Sequence, residues 1–479
     1  MKTFDAIVIG GGPAGYVAAI GLAKAGVNTC IIEGDRLGGT CLNYGCIPTK
    51  SLYHYAKLIH TIHKHQDLGI STGPISLDFK KIMEDKQKTV ETLVSGVESL
   101  MKSNKITVIN GIAEFEDDYV VRVKSEDGVQ RIHGDYLLIA SGSSPVLPPI
   151  SGLLDGLQMH KVITSKEALT LSLIPPRMVI IGGGVIGMEF ATIYNQFGTQ
   201  VTVLEAADSL LPSFNKELVK RYKPLAKKQT IQTLTSSMVT QIEYEDDIVK
   251  VTYKTKNGEE VIETDLVLCA VGRKPVYENL ELTKLSGIIY DERKVIADDF
   301  CQTTISHIYA IGDVNGKSLL AHSASKQGVI ASESIIRQMA LRHKLVSGQA
   351  EPKGFSQYCI PQVAFLIPEL SQVSAPRNDK DEAAELLNGK FSYRSNGMAL
   401  AHHETDGICK VDYDQVNERL TFMGILGESS SELIHVGVHG IDHGLDYHEL
   451  VDSIVAHPSL SEIIHETLLD INKMSIHQI

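Results

Sequence analysis

The sequence predicts an α/β protein with two doubly wound, Rossmann-like dinucleotide-binding domains and an α+β C-terminal domain. Three observations carry that expectation. Near the N-terminus an apolar strand, a glycine-rich turn, an alanine-rich helix and a second strand follow one another. The same succession returns about 170 residues later. Past about residue 350 the pattern becomes strands mixed with a histidine-bearing helical stretch. Repeated βαβ units imply parallel sheets covered by helices, each with a ligand crevice at its strand ends.

Phe4 to Ile9 is apolar and rich in β-formers, so it reads as a buried strand; Pro13 to Ala25 reads as a helix and Asn28 to Glu33 as the next strand. The second round runs through Met178 to Ile181, Gly182-Gly183-Gly184, Val185 to Phe197 and Gln200 to Glu205. Ser144 to Gly152 is proline-rich and reads as a linker. Leu266 to Val271 is another strand, ending at a second crossing point. Ile308 to Ile311 leads into Gly312-Asp313 and a helix from Leu319 to Leu341, and a C-terminal strand spans Gln362 to Leu366. The expected domains are 1–145, 146–273, a continuation of the first over 274–348, and 349–479.

A chain of 479 residues has room for about three domains. With 43% hydrophobic and 22% charged residues it has an ordinary globular composition, which excludes disordered, collagen-like and coiled-coil classes. The net charge of −13 lacks the footprint of a phosphate-backbone binder, so no nucleic acid partner is expected. Ala6 to Ala23 is an uncharged run of 18 residues, but five glycines and a proline interrupt it. Strand, turn and helix explain it better than a membrane span or a signal peptide. No membrane association is expected, and the location expected is cytoplasmic.

The fingerprints are Gly10-x-Gly12-x-x-Gly15 and Gly182-x-Gly184-x-x-Gly187. In each, the first glycine turns the chain and the second lets the backbone approach a pyrophosphate. The third packs helix against strand, while the helix N-terminus supplies N–H donors and a positive dipole. Glu33 lies 23 residues after Gly10, and Glu205 lies 23 after Gly182, each placed to accept from ribose hydroxyls. Glu205 would repel a 2′-phosphate, and Ala206, Ala207 and Asp208 offer no cation to hold one, which favours NAD over NADP.

Seven cysteines are too few for a disulfide-stapled secreted scaffold. Cys30, Cys269, Cys301, Cys359 and Cys409 are scattered and read as small buried hydrophobes. Cys41 and Cys46 differ, with four residues between them. No second Cys/His pair at zinc spacing accompanies them, so no metal is expected, and as a structural disulfide they close too small a loop to stabilise much. A reversible dithiol/disulfide couple beside a dinucleotide is the remaining reading.

The run GGTCLNYGCIPTK after GGGPAGYVAA resembles the flavin-dependent pyridine nucleotide–disulfide oxidoreductases, most nearly their dihydrolipoamide dehydrogenase branch. The resemblance covers the whole chain and is most specific up to about residue 330. It implies that the first fingerprint and Glu33 bind the ADP half of FAD, and that the second and Glu205 bind NAD. Thr40, Ser141, Gly142 and Asp313 would line the FAD, with Asp313 on the ribityl chain and the helix near Ala321 aimed at the flavin pyrimidine. Ala113 and Val239 would make backbone contacts to FAD adenine and to NAD, and Gly272 would lie in a loop at the NAD site. Lys50 and Glu189 match a pair beside the flavin N5.

His457 and Glu462 sit in HPSLSE, similar to the family's His-Pro-Thr-x-Ser-Glu. There the imidazole takes a proton from the substrate thiol, Cys41 is the interchange thiol and Cys46 the sulfur nearer the flavin. The family's histidine comes from the partner subunit, which implies a homodimer. The implied reaction is oxidation of protein-bound dihydrolipoamide by NAD, as the E3 component of 2-oxo acid dehydrogenase or glycine cleavage complexes. The implied partner is a lipoyl-bearing E2 or glycine cleavage H protein. The competing enzyme class is an NADPH-dependent disulfide reductase of the glutathione or mercuric type. Two departures stand out: Tyr44 replaces a small aliphatic residue, and Gln327 stands where Glu is common. His435, His439 and His443 recur at helical spacing and read as a solvated or interface face.

Overall fold

The computed structural model describes residues 1–342, 353–376 and 386–478. The chain forms two compact units. The first comprises Met1–Ser51, Lys80–Val146 and Gly272–Gln357; the second comprises Leu52–Phe79, Leu147–Val271 and Tyr358–Ile479. The change of character expected near Val346, and the 348/349 boundary with it, lie outside the described residues.

The first unit is built on a parallel sheet ordered Thr107–Asn110, Thr29–Glu33, Lys2–Ile9, Gly128–Ile139, Ile308–Ala310. Strands Ile112–Phe115 and Val120–Ser125 add an antiparallel meander to the start of Gly128–Ile139. Ala6, Val8, Ile31 and Leu138 bury one face, and Ile7, Ile9, Ile32 and Leu137 bury the other. Both faces are covered, which explains why these strands read as unbroken apolar runs. On one face helix Pro13–Lys24 packs against helix Ala321–Arg342. A Cβ on Gly328 would stand 2.5 Å from the Ala14 carbonyl oxygen, so only glycine permits this approach.

The second unit contains a parallel sheet ordered Gln232–Thr235, Gln200–Glu205, Arg177–Ile181, Leu266–Cys269, Val162–Ile163. A three-stranded meander over Met238–Thr264 accompanies it. The C-terminal part of this unit is an antiparallel sheet ordered Gln362–Ala364, Leu370–Ser374, Arg419–Leu426, Ile408–Asp414, Leu386–Ser392. Helices His435–Asp442 and Glu462–Asp470 pack on it. The α/β class, with two Rossmann-like sheets and an α+β C-terminal part, is therefore the observed one.

The histidine-bearing stretch is three short helices, Ser430–Leu433, His435–Asp442 and Tyr447–Val451, rather than one long one. Gly444 at φ +62° ends the second, and a capping box between Asp446 and Glu449 starts the third. Among the described residues no His/Cys/Asp/Glu group can hold a metal ion, and no helix is long and apolar enough to cross a membrane. The five scattered cysteines are buried, and burial pushes the Cys30, Cys301 and Cys409 thiols up to about 12.

Candidate active site

Both fingerprints close the same way. Gly10 takes φ +108°, and a Cβ there would stand 2.3 Å from the Ala140 carbonyl oxygen; Gly182 takes φ +107°, with the Ala270 oxygen at 2.5 Å. A Cβ on Gly15 would strike the Gly10 oxygen at 1.9 Å, and one on Gly187 the Gly182 oxygen at 2.0 Å. Around Gly12 and Gly184, by contrast, nothing lies within 4 Å of a Cβ. These are the helix N-cap residues, and neither caps its helix with a side chain. An open approach to uncapped N–H groups is what a pyrophosphate requires, so both turns fit a dinucleotide.

Each acidic partner is fastened to its own turn. Glu33 Oε2 accepts the Gly11 amide at 2.6 Å and Oε1 accepts the Asp35 amide at 2.8 Å. Glu205 Oε2 accepts the Gly183 amide at 2.6 Å and Oε1 the Ala207 amide at 2.7 Å. Burial pushes the Glu33 carboxyl above its ordinary value, with the Asp35 and Gly11 amides opposing the shift. These carboxylates therefore also brace the glycine turns, a role that spacing alone did not reveal. Leu37 and Leu210 complete the likeness, since a Cβ on Gly11 or Gly183 would meet them at 2.7 and 2.6 Å.

The dithiol loop is bound to the first turn. Gly38 donates its amide to the Gly11 oxygen at 2.8 Å, and a Cβ on Gly39 would stand 2.7 Å from Gly12 Cα. Cys41 follows within helix Gly39–Tyr44, with exposed Thr40 beside it, and Cys46 opens helix Cys46–His65. Both cysteines are half-buried, and their side chains are hydrogen-bonded in the dithiol form. That hydrogen bond, with burial second, pushes the Cys41 thiol well above the ordinary range, while the Lys50 charge pulls it down. Cys46 sits at a helix N-terminus, where negative charge is favoured. Tyr44 is hydrogen-bonded to Asp35.

The other strand ends of the first sheet add Ser141, Gly142 and Asp313. Ser141 Oγ donates to the Val276 carbonyl, and Ser143 Oγ donates to Asp313 Oδ2. Burial pushes the Asp313 carboxyl up, with Ser143 and Arg273 opposing. Gln327, fully buried, accepts at Oε1 from the Gly312 amide and from Asn315 Nδ2, each at 2.7 Å, and so fixes the turn that carries Asp313. Ala321 is the first residue of its helix, and Ala113 is buried in strand Ile112–Phe115. Gly272, at φ +146°, belongs to the first unit, as does Arg273.

In the second unit, Glu189 is buried on helix Val185–Gln196 and accepts the Phe365 amide at 3.0 Å. Val239 is buried near the start of strand Met238–Glu245. His457 Nδ1 lies 2.9 Å from Glu462 Oε1, while Glu462 Oε2 accepts the Ser459 amide at 2.8 Å. Burial alone would raise the Glu462 carboxyl; the bonds from His457 and Ser459 outweigh it and hold it below the ordinary range. The imidazole is largely exposed, so Nε2 is available to a substrate. Sequence reasoning missed a second pair four residues along the same helix, His477 Nδ1 to Glu466 Oε1 at 2.7 Å.

Residues 4–328 match the family described as pyridine nucleotide-disulphide oxidoreductase. The chain belongs to that family. Residues 360–468 match its dimerisation domain, so the C-terminal sheet and its helices are the dimerisation domain of this oxidoreductase. As a pyridine nucleotide-disulphide oxidoreductase it uses FAD and NAD, and the two glycine cradles, Glu33, Glu205 and Asp313 fit those groups. A dihydrolipoyl dehydrogenase of Bacillus subtilis (strain 168) is 36% identical over 96% of this chain and 95% of its own length. A dihydrolipoamide dehydrogenase of Chaetomium thermophilum is 35% identical over 99% and 92%. Among solved structures, the HOCl-induced flavoprotein disulfide reductase RclA from Escherichia coli superposes with a TM-score of 0.81 at 29% identity, covering 97% of this chain and 99% of that one.

Proposed function

We propose that the protein is a dihydrolipoyl dehydrogenase that oxidises lipoyl-bound dithiol groups on a partner protein, with NAD as final acceptor. The observation that carries this reading is the dithiol loop fastened to the first dinucleotide turn through Gly38 and Gly11, together with the His457–Glu462 pair. Glu462 orients the imidazole through Nδ1, so Nε2 takes the substrate thiol's proton. The resulting thiolate attacks Cys41 of the oxidised pair; the Cys41–Cys46 bond breaks, leaving a mixed disulfide at Cys41 and a thiolate at Cys46. The second substrate sulfur then displaces Cys41, and substrate leaves as the cyclic disulfide with its two electrons on the cysteine pair. Bound FAD supplies the two-electron chemistry that links dithiol to nicotinamide.

The remaining assignments follow from the same reading. The first fingerprint, Thr40, Ala113, Ser141, Gly142, Asp313 and the helix from Ala321 hold FAD. The second fingerprint, Glu205 and Val239 hold NAD. Lys50 and Glu189 tune the redox exchange. The molecule works as a homodimer with a lipoyl-bearing partner, E2 or the glycine cleavage H protein.

The likeness to RclA supports a second reading, a disulfide reductase driven by reduced nicotinamide. Glu205 and the absence of Lys or Arg at 206–208 weigh against a 2′-phosphate. Purified protein mixed with dihydrolipoamide and NAD should form NADH; with oxidised glutathione and NADPH it should not turn over. The opposite pair of results overturns the first reading in favour of the second.

A further inference from the structure

Asn43 stands between the two cysteines on helix Gly39–Tyr44, and only 8% of it is exposed. Its side chain folds back across the start of that helix. Nδ2 donates to the Leu37 carbonyl oxygen and to the Gly39 carbonyl oxygen, each at 3.0 Å. These two carbonyls flank Gly38, and Gly38 and Gly39 are both left-handed, at φ +90° and +55°. One amide group thus closes the left-handed bend that leads from the first glycine turn to Cys41. Asn43 Oδ1 is buried and accepts from no group among the described residues. An empty buried acceptor costs about 1–3 kcal/mol, so Oδ1 does not explain the choice of residue. The two N–H donors do. Leucine has nearly the same shape and supplies neither, and a carboxylate would set oxygen against both carbonyls.

We propose that Asn43 is the positioning residue of the dithiol form, holding the Cys41 helix in place when no bond joins the two sulfurs. This deepens the reading given above and rests on it. In the oxidised pair the Cys41–Cys46 bond itself closes the loop over the four intervening residues. In the dithiol, seen in this structure, that covalent hold is gone. The loop then keeps its path through the Asn43 bonds, the Gly38 amide on Gly11 and the packing of Leu42. The amide therefore stabilises the dithiol more than the disulfide. Reducing the pair takes up two electrons and two protons, breaks the S–S bond and leaves two thiols, and Asn43 biases that step toward its product. Oxidation of a dihydrolipoyl group drives the same step, so Asn43 favours electron transfer from substrate to the pair.

The test equilibrates the full-length, flavin-loaded protein in mixtures of reduced and oxidised dithiothreitol. Acid quenching, alkylation with N-ethylmaleimide and mass spectrometry then give the dithiol fraction. Asn43→Leu and Asn43→Asp should each shift the equilibrium about tenfold toward the disulfide, as expected for the loss of one to two hydrogen bonds. Val97→Ala, which removes buried carbon from the same core on helix Phe79–Ser103, should lower the melting temperature and leave the equilibrium where it was. Equilibria of both Asn43 variants equal to that of the unsubstituted protein overturn the proposal, as does an equal shift in Val97→Ala. If the unsubstituted protein forms NADH from dihydrolipoamide while the Asn43 variants keep its equilibrium, this inference alone fails. If the equilibrium shifts but dihydrolipoamide and NAD give no NADH, the reading of the whole protein fails instead, and the hold of Asn43 on the dithiol stands.

Discussion

The amide of Gly38 reaches the carbonyl oxygen of Gly11 at 2.8 Å, so the loop that carries Cys41 and Cys46 is stitched to the first glycine turn. Cys41 is placed from a second side as well, since it packs against the core cluster that includes Leu42 and Ile311. It hangs, through three residues, on the phosphate cradle.

Gly39 is the tightest point of that stitch, at φ +55° and against Gly12 Cα. Gly39→Ala pays the left-handed strain of about 1–2 kcal/mol and also forces the two loops apart. Expected are a lower melting temperature and reduced flavin content after purification, checked by thermal denaturation and by the visible absorbance ratio.

Glu205 braces the second turn, and the function proposed above gives it the NAD ribose as well. Glu205→Ala should raise the KM for NAD by about tenfold, or about 1.4 kcal/mol, with flavin content unchanged. Glu33→Ala should do the reverse, lowering flavin retention first. Steady-state kinetics and flavin titration separate the two effects.

His457→Gln should slow reduction of the protein by dihydrolipoamide by about 10²- to 10⁴-fold. Reduction by NADH should remain, because that half-reaction does not call on the imidazole. Stopped-flow measurement of each half-reaction tests this. Glu462→Gln should cost less, since Ser459 still has an acceptor there.

Glu462 and Glu466 both have carboxyls held below the ordinary range; burial opposes that, and bonds from His457 and Ser459, or from Ser475 and His477, outweigh it. For groups lowered on folding, the stabilisation is present above the unfolded value of about 4.3 and is lost as pH falls through the folded one. Acid unfolding should therefore begin below pH about 4.3 and steepen there. Glu466→Gln should flatten that limb while destabilising the helix at neutral pH by about 1–3 kcal/mol, measured by urea unfolding at several pH values.

Much of this was legible before the structure. Strand Gln200–Glu205 was read to the residue, and both glycine turns followed from spacing, because pyrophosphate binding imposes a local pattern that survives in one dimension. The pairing of His457 with Glu462 was visible for the same reason, being five residues apart. What escaped reading joins distant segments: Gly38 to Gly11, Arg273 to Ser143, and Leu37 and Leu210 behind the turns. These depend on how strand ends converge. The histidine-bearing stretch is helical but divided, with Gly444 at positive φ following helix His435–Asp442.

The matched bracing of Gly11 by Glu33 and of Gly183 by Glu205 has a pharmacological consequence. On the function proposed above, an adenosine mimic shaped for one turn meets the same glutamate and leucine in the other. Selectivity has to be sought where the copies part company. After Leu37 the chain turns through Gly38 and Gly39 into a reactive thiol, whereas after Leu210 another leucine makes the same backbone bond and no sulfur follows. A compound extended in that direction, and carrying a thiol-reactive tip, would discriminate between two otherwise twin pockets.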